Sequence, residues 1–183
     1  RRLVPDLILR KTRALLKDCT DESRRSLTAV RAAALVLAES AVAVPVIADE
    51  SVRLVVTSPP FLDTVDYAAD NWLRAWFAGV NAVPTGLCVF RNVADWVQAM
   101  TKVLTECGRM LRVGGHLVFE VGEVRGGTVR LEEQAMEAGL RAGLRPDHVM
   151  INSQRFTKTS NCWGVSNGIK GTNTNRIVVF RKT

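Results

Sequence analysis

The chain has 183 residues, 47% of them hydrophobic and 23% charged, with 25 Lys and Arg against 18 Asp and Glu. This length and composition indicate one globular domain or a large part of one, and they exclude collagen, low-complexity disorder and a disulfide scaffold. The net charge of +7 favours a polyanionic partner such as nucleic acid.

The chain is predicted to begin with two basic helices. Pro5 suits a first helical turn, the apolar spacing predicts a helix over residues 5–17, and a second helix is predicted to end near Ala33. We assign residues 1–33 to a basic helical segment and residues 34–183 to a separate α/β part. The cationic side chains of the first segment form either a solvated helix face or a face that contacts phosphates.

The α/β part alternates between strands and helices. Strands are predicted at residues 34–38, 52–56, 116–121, 144–151 and 176–180, and helices at 66–77, 93–112 and 128–142. Gly114 and Gly115 are expected to end the helix before them, and Trp72, Trp76 and Trp96 are expected in the core. The alternation predicts a mostly parallel, three-layer sheet whose ligands bind at the carboxyl ends of its strands.

The histidines and cysteines show no pattern of metal ligands. The four cysteines are scattered and include no C-x-x-C pair: Cys19, Cys88, Cys107 and Cys162. They indicate reduced thiols in a cytoplasmic protein. His116 and His148 lie within apolar, strand-like runs, so we expect no metal site. No apolar run reaches the length of a membrane helix, and we expect no membrane partner.

The most informative stretch is Thr57-Ser58-Pro59-Pro60-Phe61, which directly follows an apolar strand and precedes an amphipathic helix. Two consecutive prolines cannot continue a sheet ladder, so the strand is predicted to end here. The stretch resembles the catalytic motif of S-adenosylmethionine-dependent amino-methyltransferases, which methylate an exocyclic amine of a base. Its Ser form is similar to the N4-cytosine group more than to the N6-adenine group. The alternative is a Pro-Pro turn with Phe61 buried in the core.

The resemblance extends over about residues 34–183. It includes the segment around the motif at 52–79, the helix-turn-strand at 109–118 and a closing hairpin region at 158–176. It implies the C-terminal half of a Rossmann-like methyltransferase fold, so that residues 34–183 would be a catalytic half-domain. It also implies S-adenosylmethionine as cofactor and DNA as partner, with RNA as an alternative.

Elementary chemistry agrees with the roles that this resemblance implies. An exocyclic amine is a poor nucleophile because its lone pair is delocalised into the ring. The Ser58 hydroxyl and the Pro59 carbonyl can accept the amine hydrogens, and the prolines hold these acceptors in a fixed geometry. Phe61 can stack on the target base, which must leave the duplex to be reached.

The cofactor side of the site departs from the family pattern. Glu39, Thr57 and Ser58 are assigned to the cofactor, but the sequence contains no Gly-rich turn of the form Phe-x-Gly-x-Gly after a strand. The resemblance therefore implies a half-enzyme. The missing part is expected upstream of Arg1 or in a separate chain, and the absence of an initiator Met favours the first.

The loop at 154–173 combines amides, cations and an aromatic side chain, which suit a flipped base and its phosphates. The residues predicted to bind nucleic acid are Arg155, Lys158, Asn161, Trp163 and Lys170. The alternative is a surface loop anchored by Trp163. The leading hypothesis is methyl transfer to cytosine N4 in DNA. The alternatives are N6-adenine, an RNA base, or a non-catalytic nucleic-acid-binding fragment of a split methylase.

Overall fold

The computed structural model describes residues 3–60, 62, 67–79, 90–124, 128–153 and 174–183. The chain divides into two compact units, Arg1–Ala38 and Glu39–Thr183. Each unit is described separately below. No helix among the described residues is both long enough and apolar enough to span a bilayer.

The first unit contains the helices α1 (Val4–Leu15) and α2 (Asp21–Arg31), neither of which buries a residue. Helix α2 is capped by Thr20, whose Oγ1 accepts a hydrogen bond of 3.1 Å from the Ser23 backbone N–H. The strand predicted at residues 34–38 is wrong, since these residues form no strand and Val36 is 98% exposed. No strand is described between residues 3 and 38, so within the first unit residues 34–38 have no neighbouring strand with which to pair.

The second unit confirms the other predicted strands and helices to within a few residues. Its strands are β1 (Val52–Thr57), β2 (Leu111–Val124), β3 (Val129–Arg130), β4 (Arg145–Ser153) and β5 (Thr174–Arg181). Its helices are α3 (Tyr67–Phe77), α4 (Val93–Met110) and α5 (Leu131–Arg141).

The described strands form a sheet in the order β1-β2-β5-β4, with the short β3 paired to β2. Strands β1 and β2 are parallel, while β5 is antiparallel to both of its neighbours, β2 and β4. Strands β1, β2 and β4 therefore share one direction. The predicted α/β class is confirmed, and the reversed strand β5 between two strands of like direction was not anticipated.

The core lies between the sheet and the helices α4 and α5, which pack against one sheet face. Phe119 of β2, Phe180 of β5 and Trp96 of α4 are fully buried there. On the other face, Leu54 and Val56 of β1 are 56% and 69% exposed. Among the described elements, this second face of β1 therefore has no apolar cover.

Two expectations about helix positions also need correction. Trp72 and Trp76 of α3 are exposed rather than buried. Helical spacing places side chains on one face of a helix, but it does not determine whether another element covers that face. Trp76 instead contacts the neighbouring ring of Phe77, with 4.9 Å between ring centroids.

Gly114 and Gly115 do not end α4, which stops at Met110. They lie in β2, where the pairing between β1 and β2 is irregular. Gly114 has a φ of 76°, which favours glycine. A Cβ on Gly115 would lie 2.8 Å from the Arg112 carbonyl oxygen, so the backbone approaches itself too closely for a side chain.

A charged cluster fixes the loop before β1 onto the end of α4. The Arg109 guanidinium donates to the carbonyl oxygens of Ile47 (2.9 Å) and Val44 (3.1 Å), and it pairs with Asp49 and Glu106. Glu106 also accepts a hydrogen bond of 2.7 Å from the Val44 N–H. These bonds, above all that from Arg109, lower the pKa of Glu106 to about 2. The chain therefore enters β1 from a fixed position.

The packing of α5 on β5 predicts a steric test. A Cβ added to Gly139 would lie 2.2 Å from Cε1 of the buried Phe180 ring, whereas a Cβ on Gly108 of α4 has no neighbour closer than 3.7 Å. We expect Gly139→Ala to lower the free energy of unfolding by about 1–3 kcal/mol. The control Gly108→Ala should raise it by up to about 1 kcal/mol, because Ala favours a helix. Urea denaturation of both variants measures the difference, and equal stabilities would contradict the described packing.

Candidate active site

The Ser-Pro-Pro motif leaves the sheet at the carboxyl end of β1. Thr57 is the last residue of β1 and pairs with Phe119 of the neighbouring strand β2. A residue before proline is restricted to extended conformations, so Ser58 and Pro59 continue in the direction of the strand. Ser58 is exposed, while Pro59 and Pro60 are half-buried. The motif therefore presents its hydroxyl to solvent at the sheet edge where ligands of α/β proteins bind.

A buried tryptophan holds the far side of the motif. The Nε1–H of Trp96 donates a hydrogen bond of 2.9 Å to the Pro60 carbonyl oxygen. Trp96 is fully buried and makes an edge contact with Phe119, at 6.4 Å between ring centroids. Leu62, two residues beyond Pro60, is also fully buried. The motif is thus fixed at both ends, by the β1–β2 ladder before it and by α4 and the core after it.

The backbone and side-chain acceptors of the motif differ in availability. The Pro60 carbonyl is already bonded to Trp96. Within the described part of the chain, neither Ser58 Oγ nor the Pro59 carbonyl has a hydrogen-bond partner. Proline supplies a carbonyl without an N–H, so Pro59 and Pro60 present acceptors and no backbone donor. The arrangement suits a ligand group that donates hydrogens.

An acidic side chain stands at the same sheet edge. Glu120 of β2 is half-buried, and its Oε1 accepts a hydrogen bond from Nδ2 of Asn175 on β5. The sequence analysis gave Glu120 no role. The available signal was an acidic residue inside the otherwise apolar strand predicted at 116–121. Its partner lies 55 residues further along the chain, and only the strand order brings the two together.

A second polar pair secures the beginning of β5. Nη1 of Arg176 donates a hydrogen bond of 2.8 Å to Oε1 of Glu132, in the first turn of α5. Glu132 is only 6% exposed, so a charged group has been buried with a partner. Because Arg176 follows Asn175 directly, this pair helps to fix the strand position from which Asn175 reaches Glu120.

The remaining predicted site residues are not brought to this edge by any described contact. Glu39 is exposed at the start of the second unit, and among the described residues it has no hydrogen bond or ion pair. Its assignment to the cofactor stays a prediction. Several predicted residues lie outside the described residues: Phe61, Arg155, Lys158, Asn161, Trp163 and Lys170.

The described residues contain no group of three or more His, Cys, Asp or Glu side chains that could hold a metal ion. Cys19 and Cys107 are free thiols, while Cys88 and Cys162 lie outside the described residues. Burial raises the pKa of the Cys107 thiol to about 11. A thiol with so high a pKa is a weak nucleophile near neutral pH, which is typical of a structural cysteine.

Several solved methyltransferases are similar to this chain. A candidate DNA modification methylase from Thermus thermophilus, solved with S-adenosyl-L-methionine, is 23% identical over 74% of this chain and 49% of its own, with a TM-score of 0.46. A SAM-dependent methyltransferase from Methanosarcina mazei is 12% identical over 79% of this chain and 65% of its own, with a TM-score of 0.43. A 16S rRNA (adenine(1408)-N(1))-methyltransferase from Catenulisporales acidiphilia is 17% identical over 88% of this chain and 73% of its own, with a TM-score of 0.41.

This chain spans about half the length of the T. thermophilus protein. No family model matches it, and no curated protein matches it.

The anchoring of the motif by Trp96 predicts a measurable cost when its indole N–H is removed. Trp96→Phe keeps a buried aromatic ring but leaves the Pro60 carbonyl without its donor. We expect a loss of about 1–3 kcal/mol in the free energy of unfolding. The matched control is Trp76→Phe at an exposed position, where the change should stay within about 0.5 kcal/mol. Chemical denaturation followed by circular dichroism checks both, and a silent Trp96→Phe would contradict the anchoring.

Proposed function

We propose that this chain is the catalytic portion of an S-adenosylmethionine-dependent amino-methyltransferase that acts on nucleic acid. The observation that carries the proposal is the Ser58-Pro59-Pro60 turn at the carboxyl end of β1, in which Ser58 is exposed and neither its Oγ nor the Pro59 carbonyl has a partner among the described residues. The target favoured by the Ser form of the motif is cytosine N4 in DNA. Adenine N6 and an RNA base are the alternatives within the same chemistry.

In this proposal the motif acts on the amine of a base that has left its stack. The Ser58 Oγ and the Pro59 carbonyl accept the two amine hydrogens, which draws the nitrogen lone pair out of conjugation with the ring. The acceptors need no rearrangement during the reaction, because the β1–β2 ladder and Trp96 already hold the turn. The cofactor, when bound, supplies the methyl group that this nitrogen attacks.

The residues of this chain fit only one side of such a cofactor. The carboxyl end of β1, with Thr57 and Ser58, can border its reacting end, and β1 is the outermost described strand in the sheet order. The sequence supplies no Gly-rich turn after a strand to receive the other end. We therefore propose that a further segment, upstream of Arg1 or in a separate chain, completes the cofactor site.

A non-catalytic role is the second candidate function. The missing Gly-rich turn favours a nucleic-acid-binding subunit of a split methylase, and the net charge of +7 suits a phosphate backbone. In both functions Arg155, Lys158, Asn161, Trp163 and Lys170 remain proposed contacts to nucleic acid. The two functions differ in whether the Ser58 hydroxyl matters for methyl transfer once the cofactor site is complete.

Binding of S-adenosylmethionine to the chain by itself tests the proposed incompleteness. With one wall of the site, the ligand would keep few hydrogen bonds while still losing its translational freedom. We expect isothermal titration calorimetry to detect no binding at micromolar concentrations of the chain. Micromolar affinity would contradict the proposal that another segment is needed. S-adenosylhomocysteine in a parallel titration controls for contacts that depend on the methyl group.

Methyl transfer by the complete enzyme tests the role of Ser58. Ser58→Ala removes an acceptor that is preorganised for the reacting amine, and we expect the rate to fall by about 10²-fold or more. The melting temperature should be unchanged, because Ser58 is exposed and has no described hydrogen bond. Ser26→Ala, an exposed change in α2, is the matched control and should keep full activity. Near-normal turnover of Ser58→Ala would refute the catalytic assignment and leave the non-catalytic function.

A further inference from the structure

We propose that the first unit, Arg1–Ala38, docks on the phosphate backbone of a nucleic acid duplex through a cationic stripe on each of its two helices. Arg10 and Arg13 form the stripe of α1, and Arg24 and Arg31 form the stripe of α2. The choice of a nucleic acid as partner rests on the proposed function, which gives this unit no role. The stripes would contact the backbone, whereas the Ser-Pro-Pro motif would contact a base.

The positive charge of the chain is concentrated in the first unit. Residues 1–38 hold nine of the 25 Lys and Arg but only four of the 18 Asp and Glu, which gives a net charge of +5 out of +7. Residues 39–183 are most of the chain and carry the remaining +2. A local excess of one sign on a small unit produces a potential that attracts polyanions.

The cations of the first unit are exposed, and its own acids do not neutralise them. Among the described residues of this unit, no Lys or Arg side chain forms an ion pair or a hydrogen bond. Three of its four acids lie in the first turns of α1 and α2, where negative charge stabilises a helix. In the second unit, by contrast, four arginines each pair with a glutamate: Arg109, Arg130, Arg141 and Arg176. The two stripes therefore remain available to an external anion.

The spacing within each stripe suits a row of phosphates. Residues three or seven positions apart lie on one side of an α-helix, at axial separations of about 4.5 and 10.5 Å. One strand of duplex DNA advances about 3.4 Å per phosphate. Each arginine of a stripe can therefore reach a different phosphate of one strand when the helix lies along it. Arginine suits this contact, because its guanidinium pairs with phosphate through two parallel hydrogen bonds.

An anionic lipid surface is the other partner that a cationic, amphipathic helix can bind, and it requires a broad apolar face. Helix α1 has such a face, since the exposed Val4, Ile8 and Leu15 lie opposite its stripe. Helix α2 does not, because its exposed large apolar side chains are Leu27 and Val30, which lie beside its stripe. A phosphate backbone needs no apolar face and accounts for the stripes of both helices.

Equilibrium binding of the full chain to duplex DNA, without cofactor, tests the inference. The probe is a fluorescein-labelled duplex of about 20 base pairs, and fluorescence anisotropy measures its affinity between about 50 and 200 mM salt. The variant removes both stripes: Arg10→Gln, Arg13→Gln, Arg24→Gln and Arg31→Gln. Each phosphate contact contributes about 0.9 to the slope of log affinity against log salt concentration. We expect the slope to fall by about 2–4 and the affinity at 100 mM salt to fall by about tenfold or more. An unchanged slope would overturn the inference.

A matched control variant replaces four exposed arginines of the second unit by Gln: Arg53, Arg112, Arg145 and Arg181. They lie at the amino ends of β1, β2 and β4 and at the carboxyl end of β5, which is the sheet edge opposite to the Ser-Pro-Pro motif. Both variants have the same net charge, so a general effect of charge would weaken binding equally. We expect the control to change the slope by less than about 1, and equal losses in the two variants would overturn the inference.

Two further measurements separate charge from folding and nucleic acid from lipid. Replacing the four stripe arginines by Lys keeps the charge and should keep the slope. Gln and Lys both favour helices, so circular dichroism should show unchanged helix content in both variants. Loss of the salt dependence in the Lys variant would contradict a role for charge. Vesicles of phosphatidylserine and phosphatidylcholine test the lipid surface, and binding to vesicles without binding to the duplex would overturn the inference.

Failure of this inference is distinguishable from failure of the proposed function. If only the inference fails, the stripe variant binds the duplex like the unmodified chain, while Ser58→Ala still impairs methyl transfer by the complete enzyme. If only the catalytic assignment fails, Ser58→Ala retains methyl transfer, while duplex binding still depends on the stripes.

Discussion

The hydrogen bond from the Trp96 indole to the Pro60 carbonyl is the interaction on which the site depends. A buried indole N–H must find an acceptor, and this acceptor belongs to the turn that carries Ser58. The same ring packs against Phe119 of β2, so one side chain ties α4, β2 and the turn together. The motif is therefore positioned by the hydrophobic core, and its geometry is as rigid as the core itself.

The reversed strand β5 explains how distant parts of the chain meet at the site. Because β5 runs against β2, its amino end lies at the carboxyl ends of β1 and β2. Asn175 is brought there beside Glu120, and Arg176 is brought to Glu132 of α5. A sheet with every strand parallel would have placed the opposite end of β5 at this edge. The direction of one strand thus decides which polar side chains can face a ligand.

The strand that presents the motif is also an edge strand of the described sheet. Strand β1 pairs with β2 on one side, and its Leu54 and Val56 are exposed on one face. Exposed apolar strand residues at a sheet edge are a surface that proteins normally cover. In the function proposed above, completing the sheet and completing the cofactor site are one requirement, because both concern the open side of β1.

The sequence by itself determined the local structure around the motif. The strand-stopping prolines, the apolar stripe of α4 and the alternation of strands and helices follow from backbone sterics and side-chain periodicity, which act over a few residues. Only the tertiary structure decided which surfaces are covered and which side chains meet. In the folded chain Trp72 and Trp76 are exposed, and residues 34–38 form no strand. Glu120 and Asn175, which are far apart in the sequence, form a hydrogen bond. These outcomes depend on strand order and on packing between elements far apart in the chain, and no short-range pattern encodes them.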